Sequence, residues 1–248
     1  METCPDHARV PAADDEARAR IAAVRARVAD IARRAGRDPA TVRIVAVTKT
    51  FPAGAVELAV ACGLPDVGEN YVQEARAKRE ATSAAATWHL IGGLQRNKAK
   101  AAAALFDRVQ TVDSAPLADA LGHAAEGLGK RLPVLVQVDL AGRAGQRGVP
   151  PDGVADVVRA ALGQPSLAVD GLMTIAPPGA APTALRGHFR GLRALRDDVA
   201  GRLGVELPHL SMGMSDDFAL AIEEGATIVR LGRALFGQRG GAARREGS

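Results

Sequence analysis

The sequence predicts a single (β/α)8 barrel of the TIM type. The chain has 248 residues, near the length of about 250 residues that is typical of such a barrel. Eight short runs with strand character alternate with segments of helical periodicity, which favours parallel strands joined by right-handed crossovers. The turn from Lys49 to Pro52 lacks the glycine fingerprint that follows the first strand of an open doubly wound sheet. We therefore expect a closed barrel.

The first half of the chain opens with a helix and then alternates strands with helices. Ile21, Val24, Val28 and Ile31 recur at helical spacing, and Gly36 follows as a C-terminal cap. The predicted helices of this half cover residues 14–35, 53–61, 72–80, 95–105 and 115–128, and its predicted strands cover 43–49, 66–68, 87–91 and 109–112.

The second half continues the alternation after the clearest strand of the chain, at 132–140. A glycine-rich loop follows at 141–148. The remaining predicted strands cover 169–175, 207–212 and 227–231, and the remaining helices cover 151–162, 183–203 and 216–224. Because no linker divides these elements, we expect one domain over residues 1–248, ordered over about 14–239, with frayed ends.

Composition and charge exclude several classes of protein. The net charge is +4, but the arginines are scattered among acidic residues, and only five Phe, one Trp and one Tyr are available for base stacking. We therefore predict no nucleic-acid partner. No apolar run is long enough to cross a bilayer, and residues 1–10 have no signal-like core, so we expect a cytoplasmic protein without a membrane partner. Cys4 and Cys62 are too few for a disulfide framework or a thiolate zinc site, and we predict no metal site.

A lysine follows the first predicted strand. Active sites of β/α barrels lie at the C-terminal ends of the strands, and an amine flanked by apolar residues can form an imine with a carbonyl compound. Lys49 is therefore a candidate Schiff-base lysine. The alternative is that Lys49 only marks the point where a strand meets water.

The other strand ends add polar groups to the same mouth. Glu69 and Asn70 follow the second strand. The loops after strands seven and eight often bind phosphate in barrels, through backbone N–H groups. Ser215 is placed to cap a helix that starts at 216, and Gly232 permits close approach of the backbone to an anion. An imine-forming lysine beside a phosphate site indicates an aldehyde that carries a phosphate, with pyridoxal 5′-phosphate (PLP) as the main candidate.

Six stretches carry a resemblance to a known family. They are VAVTK at 45–49, GENYVQE at 68–74, WHLIGGLQRNK at 88–98, GLM at 171–173, SMGMSDD at 211–217 and VRLGRALFG at 229–237. In this order they resemble the pyridoxal-phosphate homeostasis protein family, over about residues 14–239. The resemblance implies a single barrel like the N-terminal domain of alanine racemase. It also implies bound PLP and a role in storing, delivering and balancing the cofactor, without established turnover.

The resemblance also implies which residues bind the cofactor. Lys49 would form the Schiff base, and Arg230 would face the pyridine nitrogen. Ser215 and the backbone of Gly232 and Arg233 would hold the phosphate.

Four more residues would line the ring pocket by the same resemblance: Asn70, His89, Met173 and Met214. For His89 the alternative is a core histidine bonded to a neighbouring backbone group. Met173 and Met214 are expected to pack against the ring rather than take part in chemistry.

Two positions depart from the family pattern. Members often carry a lysine in the loop after strand five, where this chain has Gln146 followed by Arg147, which puts a transfer route through a second lysine in doubt. Arg233 stands where a small hydroxyl residue is frequent beside the phosphate, so one hydrogen bond is replaced by a charge-assisted contact or by the backbone N–H alone.

Three functions remain open at this stage. A carrier of PLP for PLP-dependent apo-enzymes, acting as a monomer, is the preferred one. A PLP-dependent amino-acid racemase is the second. Its activity would be weak, because Arg230 keeps its proton and disfavours protonation of the ring nitrogen, so the ring is a poor electron sink. A Schiff-base aldolase acting on a phosphorylated sugar is the third.

Overall fold

The computed structural model describes residues 11–142, 145 and 147–237. Within them, eight parallel strands close into a barrel in chain order, and the last strand pairs with the first. The strands are β1 Arg43–Val47, β2 Asp66–Glu69, β3 Thr87–Leu90, β4 Arg108–Val112, β5 Leu132–Val138, β6 Leu167–Thr174, β7 His209–Ser211 and β8 Ile228–Leu231. The predicted fold class is therefore confirmed.

Helices surround the barrel and cover its strands. They are α1 Pro11–Arg34, α2 Gly54–Ala61, α3 Val72–Glu80, α4 Ala99–Leu105, α5 Ala115–Glu126, α6 Val154–Leu162, α7 Pro182–Leu203, α8 Phe218–Glu223 and α9 Arg233–Phe236. Short 3₁₀ turns at Arg96–Lys98 and Pro151–Gly153 replace the first turns predicted for the helices at 95–105 and 151–162. The predictions for the chain ends and for Gln146 fall on residues outside the described part of the chain.

Side chains alternate along each strand between the helices and the barrel interior. The outward side chains form one large apolar core with the helices. Inside the barrel, Val45, Leu135, Met173 and Ile228 form a separate small cluster. Polar residues occupy the rest of the interior and include His89, Gln110, Ser211 and Arg230. The barrel interior is therefore packed rather than open, and the site lies above it at the mouth.

The last short helix is tied to the first turn after β1. The rings of Phe51 and Phe236 lie 5.2 Å apart, and Arg20 of α1 donates to the carbonyls of Leu235 and Phe236. These contacts hold the end of β8 beside the end of β1, where Lys49 lies.

Arginines on α7 bind elements of the same chain. Arg186 and Arg190 donate to the carboxylate of Glu224, and Arg193 donates to its carbonyl. These three arginines are therefore engaged within the fold. Among the described residues, no helix combines the length and the apolar character that crossing a membrane requires.

Candidate functional site

A cavity of about 240 Å³ opens at the C-terminal mouth of the barrel. Seven of the nine predicted cofactor-binding residues line it, and His89 and Met173 do not. The lining residues come from the ends of six strands and the loops after them: Val47, Lys49, Asn70, Ile91, Ile175, Met214, Ser215, Asp216, Arg230, Gly232 and Arg233.

Lys49 lies two residues beyond β1, with its backbone held on both sides. The Nζ of Lys78 donates to the carbonyl of Thr48 at 2.6 Å. The N–H of Thr50 donates to the carboxylate of Glu74, and Thr50 has a φ of 66°, in the left-handed region. Both side-chain partners come from α3. The two bonds fix the backbone on both sides of Lys49, and so the direction in which its side chain leaves the backbone at the cavity.

Lys78 and Glu74 thus form a clamp on the backbone around Lys49. Lys78 also belongs to a buried ionic cluster. Lys78 is 7% exposed and donates to Glu69 Oε1 at 2.7 Å and to Glu74 Oε1 at 2.8 Å. Burial raises the pKa of Glu69, although hydrogen bonds from Lys78 and Thr48 lower it in part. Burial also raises the pKa of Glu74, but the hydrogen bonds from Lys78 and Thr50 outweigh it and the net shift is downward. The spacing Glu74 to Lys78 on α3 was a sequence signal for this pair that our interpretation missed.

Glu69 does not reach the mouth, contrary to the sequence-based expectation. Adjacent residues of a strand point to opposite faces, so Asn70 turns into the barrel mouth and Glu69 turns outward to α3. Its second oxygen, Oε2, has no hydrogen-bond partner among the described residues. Glu69 therefore belongs to the support of the site and not to its lining.

Arg230 forms the buried side of the cavity. It is 4% exposed, and its guanidinium donates from Nη1 to Ser211 Oγ at 2.7 Å and from Nη2 to the carbonyl of Thr174 at 2.8 Å. Burial lowers the pKa of Arg230 to about 10, with Asp217 opposing the shift. The guanidinium is still charged at neutral pH, and it is fixed in orientation by two acceptors.

The loops after β7 and β8 meet at Ser215. Its Oγ accepts from the N–H of Ala234 at 3.2 Å, which ties the loop to the first turn of α9. The predicted role of Ser215 as a helix N-cap is wrong, because α8 begins at Phe218 and the N-cap position belongs to Asp217. Asp217 instead accepts from the N–H of Met214 at 2.6 Å, which folds the intervening turn back on itself.

The side chain of Arg233 points along the rim. It is exposed and pairs with the exposed carboxylate of Asp216. Gly232 has a φ of −116°, so its contribution is open space beside the cavity rather than a left-handed turn. The N–H of Arg233, the first residue of α9, has no partner within that helix and follows Gly232 at the cavity edge, whereas the N–H of Ala234 donates to Ser215.

His89 lies below the cavity and does not line it, so its place in the ring pocket stays a prediction. It is fully buried, with Nε2 2.8 Å from Asp66 Oδ1 and Nδ1 2.9 Å from Gln110 Nε2. Of the alternative, a core histidine with a backbone partner, only the partner is wrong, because both partners are side chains. His89 and Ile91 point the same way from β3, but Ile91 is one layer nearer the mouth and reaches the cavity.

Met173 is displaced from the cavity for the same reason. It is fully buried in the interior cluster with Val45, Leu135 and Ile228. Ile175, two residues further along the chain, packs on that cluster and lines the cavity. Ile175 is therefore the apolar side chain that this strand end presents to the cavity, and the ring contact of Met173 stays a prediction.

A second cavity of about 430 Å³ adjoins the first and shares Asn70 with it. Gly92 packs against the backbone of Asn70 so closely that an added Cβ would lie 2.3 Å from the Asn70 carbonyl oxygen. Arg147 lines this second cavity and lies 3.3 Å from the carbonyl of Leu94 and 3.4 Å from Asp113.

Comparison with known sequences gives consistent matches along the chain. The model of the family described as "Alanine racemase, N-terminal domain" matches residues 20–240. The chain is similar to the pyridoxal phosphate homeostasis protein of Pseudomonas aeruginosa, with 44% identity over 220 residues, 88% of this chain and 94% of the relative. A protein of the same name from Aquifex aeolicus is 40% identical over 221 residues, 89% of this chain and 97% of the relative.

Solved structures match the barrel as well. PipY of Synechococcus elongatus PCC7942, solved with PLP bound, has a TM-score of 0.80 and 35% identity, covering 89% of this chain and 100% of PipY. An alanine racemase of Clostridium difficile 630 has a TM-score of 0.68 at 14% identity, covering 80% of this chain and 53% of the racemase. At that identity the racemase match concerns the fold alone.

Proposed function

The chain belongs to the pyridoxal phosphate homeostasis protein family, whose barrel is the alanine racemase N-terminal domain, and from that premise we propose that it binds PLP at the C-terminal cavity. One observation carries the proposal. The cavity brings the Lys49 amine, the buried Arg230 guanidinium and the loop edge at Ser215 and Gly232 around one space. An aldehyde, a ring nitrogen and a phosphate are the three groups that these residue types bind.

The residues present fit the cofactor. Arg230 is held by two acceptors and borders the cavity, so its guanidinium would serve as a charged donor to a ring acceptor there. The backbone N–H of Arg233 and the hydroxyl of Ser215 would offer donors to a phosphate at the opposite edge. Lys49 would hold the cofactor through its amine, and PLP would supply the aldehyde for an imine bond to that amine, with one water released. Ile175 and Met214 would cover the ring.

We propose a role in holding and delivering PLP rather than in turnover. Met214 is 37% exposed and Tyr71, beside the mouth, is 63% exposed, so the rim presents apolar surface to a PLP-dependent apo-enzyme. The same proposal takes the chain as a single-domain monomer of the cytoplasm without a nucleic-acid partner. Internal pairing of the α7 arginines with Glu224 supports this last point.

A weak racemase activity is the second candidate, and it now depends on one residue. Racemisation needs two groups on opposite sides of the ring that exchange protons. Among the described lining residues, Lys49 and Asp216 are the groups that could do so, and Asp216 is paired with Arg233. We expect no D-amino acid formation by the loaded protein above the rate of free PLP. Activity that disappears in Asp216→Asn would instead favour the racemase.

The cofactor proposal is tested by absorption spectroscopy of the purified protein after incubation with PLP. We expect a visible band in the wild type that borohydride abolishes while it leaves the pyridoxyl group covalently attached to the chain, and no such band in Lys49→Ala. Lys100→Ala, at an exposed position of α4, is the matched control and should behave as the wild type.

The outcomes separate the three functions. Peptide mapping of the reduced protein should place the pyridoxyl group on Lys49. Labelling elsewhere would move the anchor, and a wild type that shows no protein-bound absorption band after excess PLP is removed would overturn the cofactor proposal. A colourless protein that borohydride couples to a phosphorylated sugar through Lys49 would establish the aldolase instead.

A further inference from the structure

A continuous file of buried polar side chains runs below Arg230 through the barrel interior. Arg230 Nη1 lies 2.7 Å from Ser211 Oγ, and Ser211 Oγ lies 2.6 Å from Gln110 Oε1. Gln110 Nε2 lies 2.9 Å from His89 Nδ1, and His89 Nε2 lies 2.8 Å from Asp66 Oδ1. We call these five residues the axial chain.

The axial chain crosses the barrel from one end to the other. Ser211 and His89 are fully buried, Gln110 is 1% exposed, and Arg230 borders the cavity at the C-terminal mouth. The side chain of Asp66 is 15% exposed at the start of β2, toward the opposite end. Polar groups this deeply buried lose free energy when unpaired, so each link is needed to satisfy its neighbours.

One arrangement of protons satisfies every member. Arg230 can only donate, so Ser211 accepts from it, and the Ser211 hydroxyl then donates to Gln110 Oε1. The amide N–H of Gln110 therefore faces His89, whose Nδ1 must be the acceptor. Nε2 then carries the proton of His89 and donates to the Asp66 carboxylate.

The reverse arrangement fails at two places. If the amide of Gln110 were turned over, Ser211 would accept from both Arg230 and Gln110, and its own proton would lose the Gln110 acceptor. His89 would then carry its proton on Nδ1 and present a bare Nε2 to a carboxylate.

The charge state of His89 agrees with the first arrangement. Burial lowers the pKa of His89, against the opposing effect of Asp66. The charged groups that face it are Asp66, Arg108 and Arg43, and both arginines lower the pKa further. A neutral His89 with its proton on Nε2 is the form that the hydrogen bonds of the axial chain require.

We propose that Gln110 and His89 are positioning residues for Arg230, acting through Ser211 to fix the guanidinium that faces the cavity. Neither Gln110 nor His89 lines the cavity, so each acts on Arg230 only through the hydrogen bonds of the axial chain. The consequence for PLP rests on the proposed function, whereas the order of the hydrogen bonds is a property of the protein without cofactor. Loss of the Gln110 acceptor frees the Ser211 hydroxyl to turn, and Nη1 of Arg230 then loses a fixed acceptor direction.

The first test uses the protein without cofactor. Nitrogen NMR of labelled histidine should find His89 protonated on Nε2 and unprotonated on Nδ1. Gln110→Glu keeps an acceptor for Ser211 and places a second acceptor opposite His89, so it should move a proton onto Nδ1 of His89. A wild-type His89 that carries its proton on Nδ1 would overturn the proposed order.

The second test measures PLP binding by titration and absorption. Gln110→Leu and Ser211→Ala should each weaken the apparent affinity about tenfold and shift the absorption maximum, because the donor facing the ring is no longer fixed. Gln110→Glu should retain wild-type affinity. The matched control is Gln137→Leu, because Gln137 is equally buried on β5 but donates to the carbonyl of Arg147.

The outcomes distinguish this proposal from the cofactor proposal. Affinity and absorption maximum in Gln110→Leu and Ser211→Ala equal to those of Gln137→Leu would show that the axial chain does not position Arg230. If the wild type itself binds no PLP, the proposed function fails. The role of the axial chain is then tested by the His89 tautomer and by the NMR resonances of the Arg230 guanidinium. Those resonances should broaden in Ser211→Ala and stay unchanged in Gln137→Leu. If Gln110→Leu does not fold, Ser211→Ala, which removes only a hydroxyl group, tests the proposal alone.

Discussion

Lys78 Nζ lies 2.6 Å from the carbonyl oxygen of Thr48 and so holds the peptide group that precedes Lys49. The same ammonium is paired with the carboxylates of Glu69 and Glu74, and Glu74 in turn accepts from the N–H that follows Lys49. A helix on the outside of the barrel therefore determines the backbone geometry of the lysine at the mouth.

Replacing Lys78 with Met should destabilise the protein strongly. The change leaves Glu69 buried without its cation, and breaking a buried ion pair in this way costs about 3–5 kcal/mol in the free energy of unfolding. PLP retention should fall as well, because Thr48 loses the donor that fixes its carbonyl. Urea unfolding and PLP titration of Lys78→Met check both effects.

The pH dependence of the stability lost in Lys78→Met shows whether the unpaired Glu69 carboxylate is its cause. Burial already raises the pKa of Glu69 above its unfolded value, and loss of Lys78 raises it further. The folded variant then binds a proton that the unfolded chain does not, so its stability rises as the pH falls. The deficit of Lys78→Met should be smaller at about pH 5 than at about pH 8. An equal deficit at both values would contradict this cause, and Lys100→Met should change stability by less than about 0.5 kcal/mol.

Gly92→Ala should disturb Asn70 at the mouth. The added Cβ would lie 2.3 Å from the carbonyl oxygen of Asn70 and 2.6 Å from its Cα, so one of the two segments must move. We expect a loss of about 1–3 kcal/mol in the free energy of unfolding, together with weaker PLP binding. The same substitution at Gly187, a helical position with open space around it, should instead stabilise the protein by about 0.5–1 kcal/mol. Wild-type stability and binding in Gly92→Ala would contradict the steric argument.

Glu224 should control part of the acid sensitivity of the fold. Burial raises its pKa, but hydrogen bonds from Arg190 and Arg186 outweigh burial and lower the pKa below the ordinary 4.5. A lowered folded pKa stabilises the protein above the unfolded pKa, and this contribution is lost as the pH falls through the folded value.

The substitution Glu224→Gln should therefore lower stability at pH 7 by about 1–3 kcal/mol and flatten the loss of stability below about pH 5. Thermal unfolding across that range is the measurement. Glu223→Gln changes the exposed neighbour, which also pairs with Arg186, and should have an effect below about 1 kcal/mol. An acid slope as steep in Glu224→Gln as in the wild type would contradict the assignment.

The strand order and the position of the mouth were predictable because they follow from alternation. Eight apolar runs separated by helices leave few topologies, and in a barrel every strand end then faces the same rim. Lys49, Asn70 and Arg230 could therefore be brought together without coordinates. The depth at which an inward side chain lies along the barrel axis was not predictable. The alternation of side chains along a strand shows only whether a residue points into the barrel or toward the helices. His89 and Met173 point inward as expected, but each lies one layer below the residue that reaches the cavity.

Two supports of the site, the Glu69–Lys78 pair and helix α9, were also beyond the sequence. Glu69 and Lys78 are nine positions apart, and their pairing depends on how α3 packs on β2 rather than on a local pattern. The four-residue helix α9 is too short to show a period, yet its first turn is the part that meets Ser215. Both features arise only from tertiary packing.

Thr50→Asn should stabilise the protein. Thr50 has a φ of 66°, where a β-branched side chain is strained, and Asn adopts this left-handed conformation more readily. The backbone N–H that Glu74 accepts from is unchanged by the substitution. We expect a gain of about 0.5–1 kcal/mol in the free energy of unfolding, with PLP affinity unaltered because the clamp around Lys49 is kept. Thr50→Pro removes that N–H and imposes a negative φ, so it should lose both stability and PLP binding. If Thr50→Asn is more stable but binds PLP weakly, the threonine side chain itself takes part in the site, and the strain at this position serves binding.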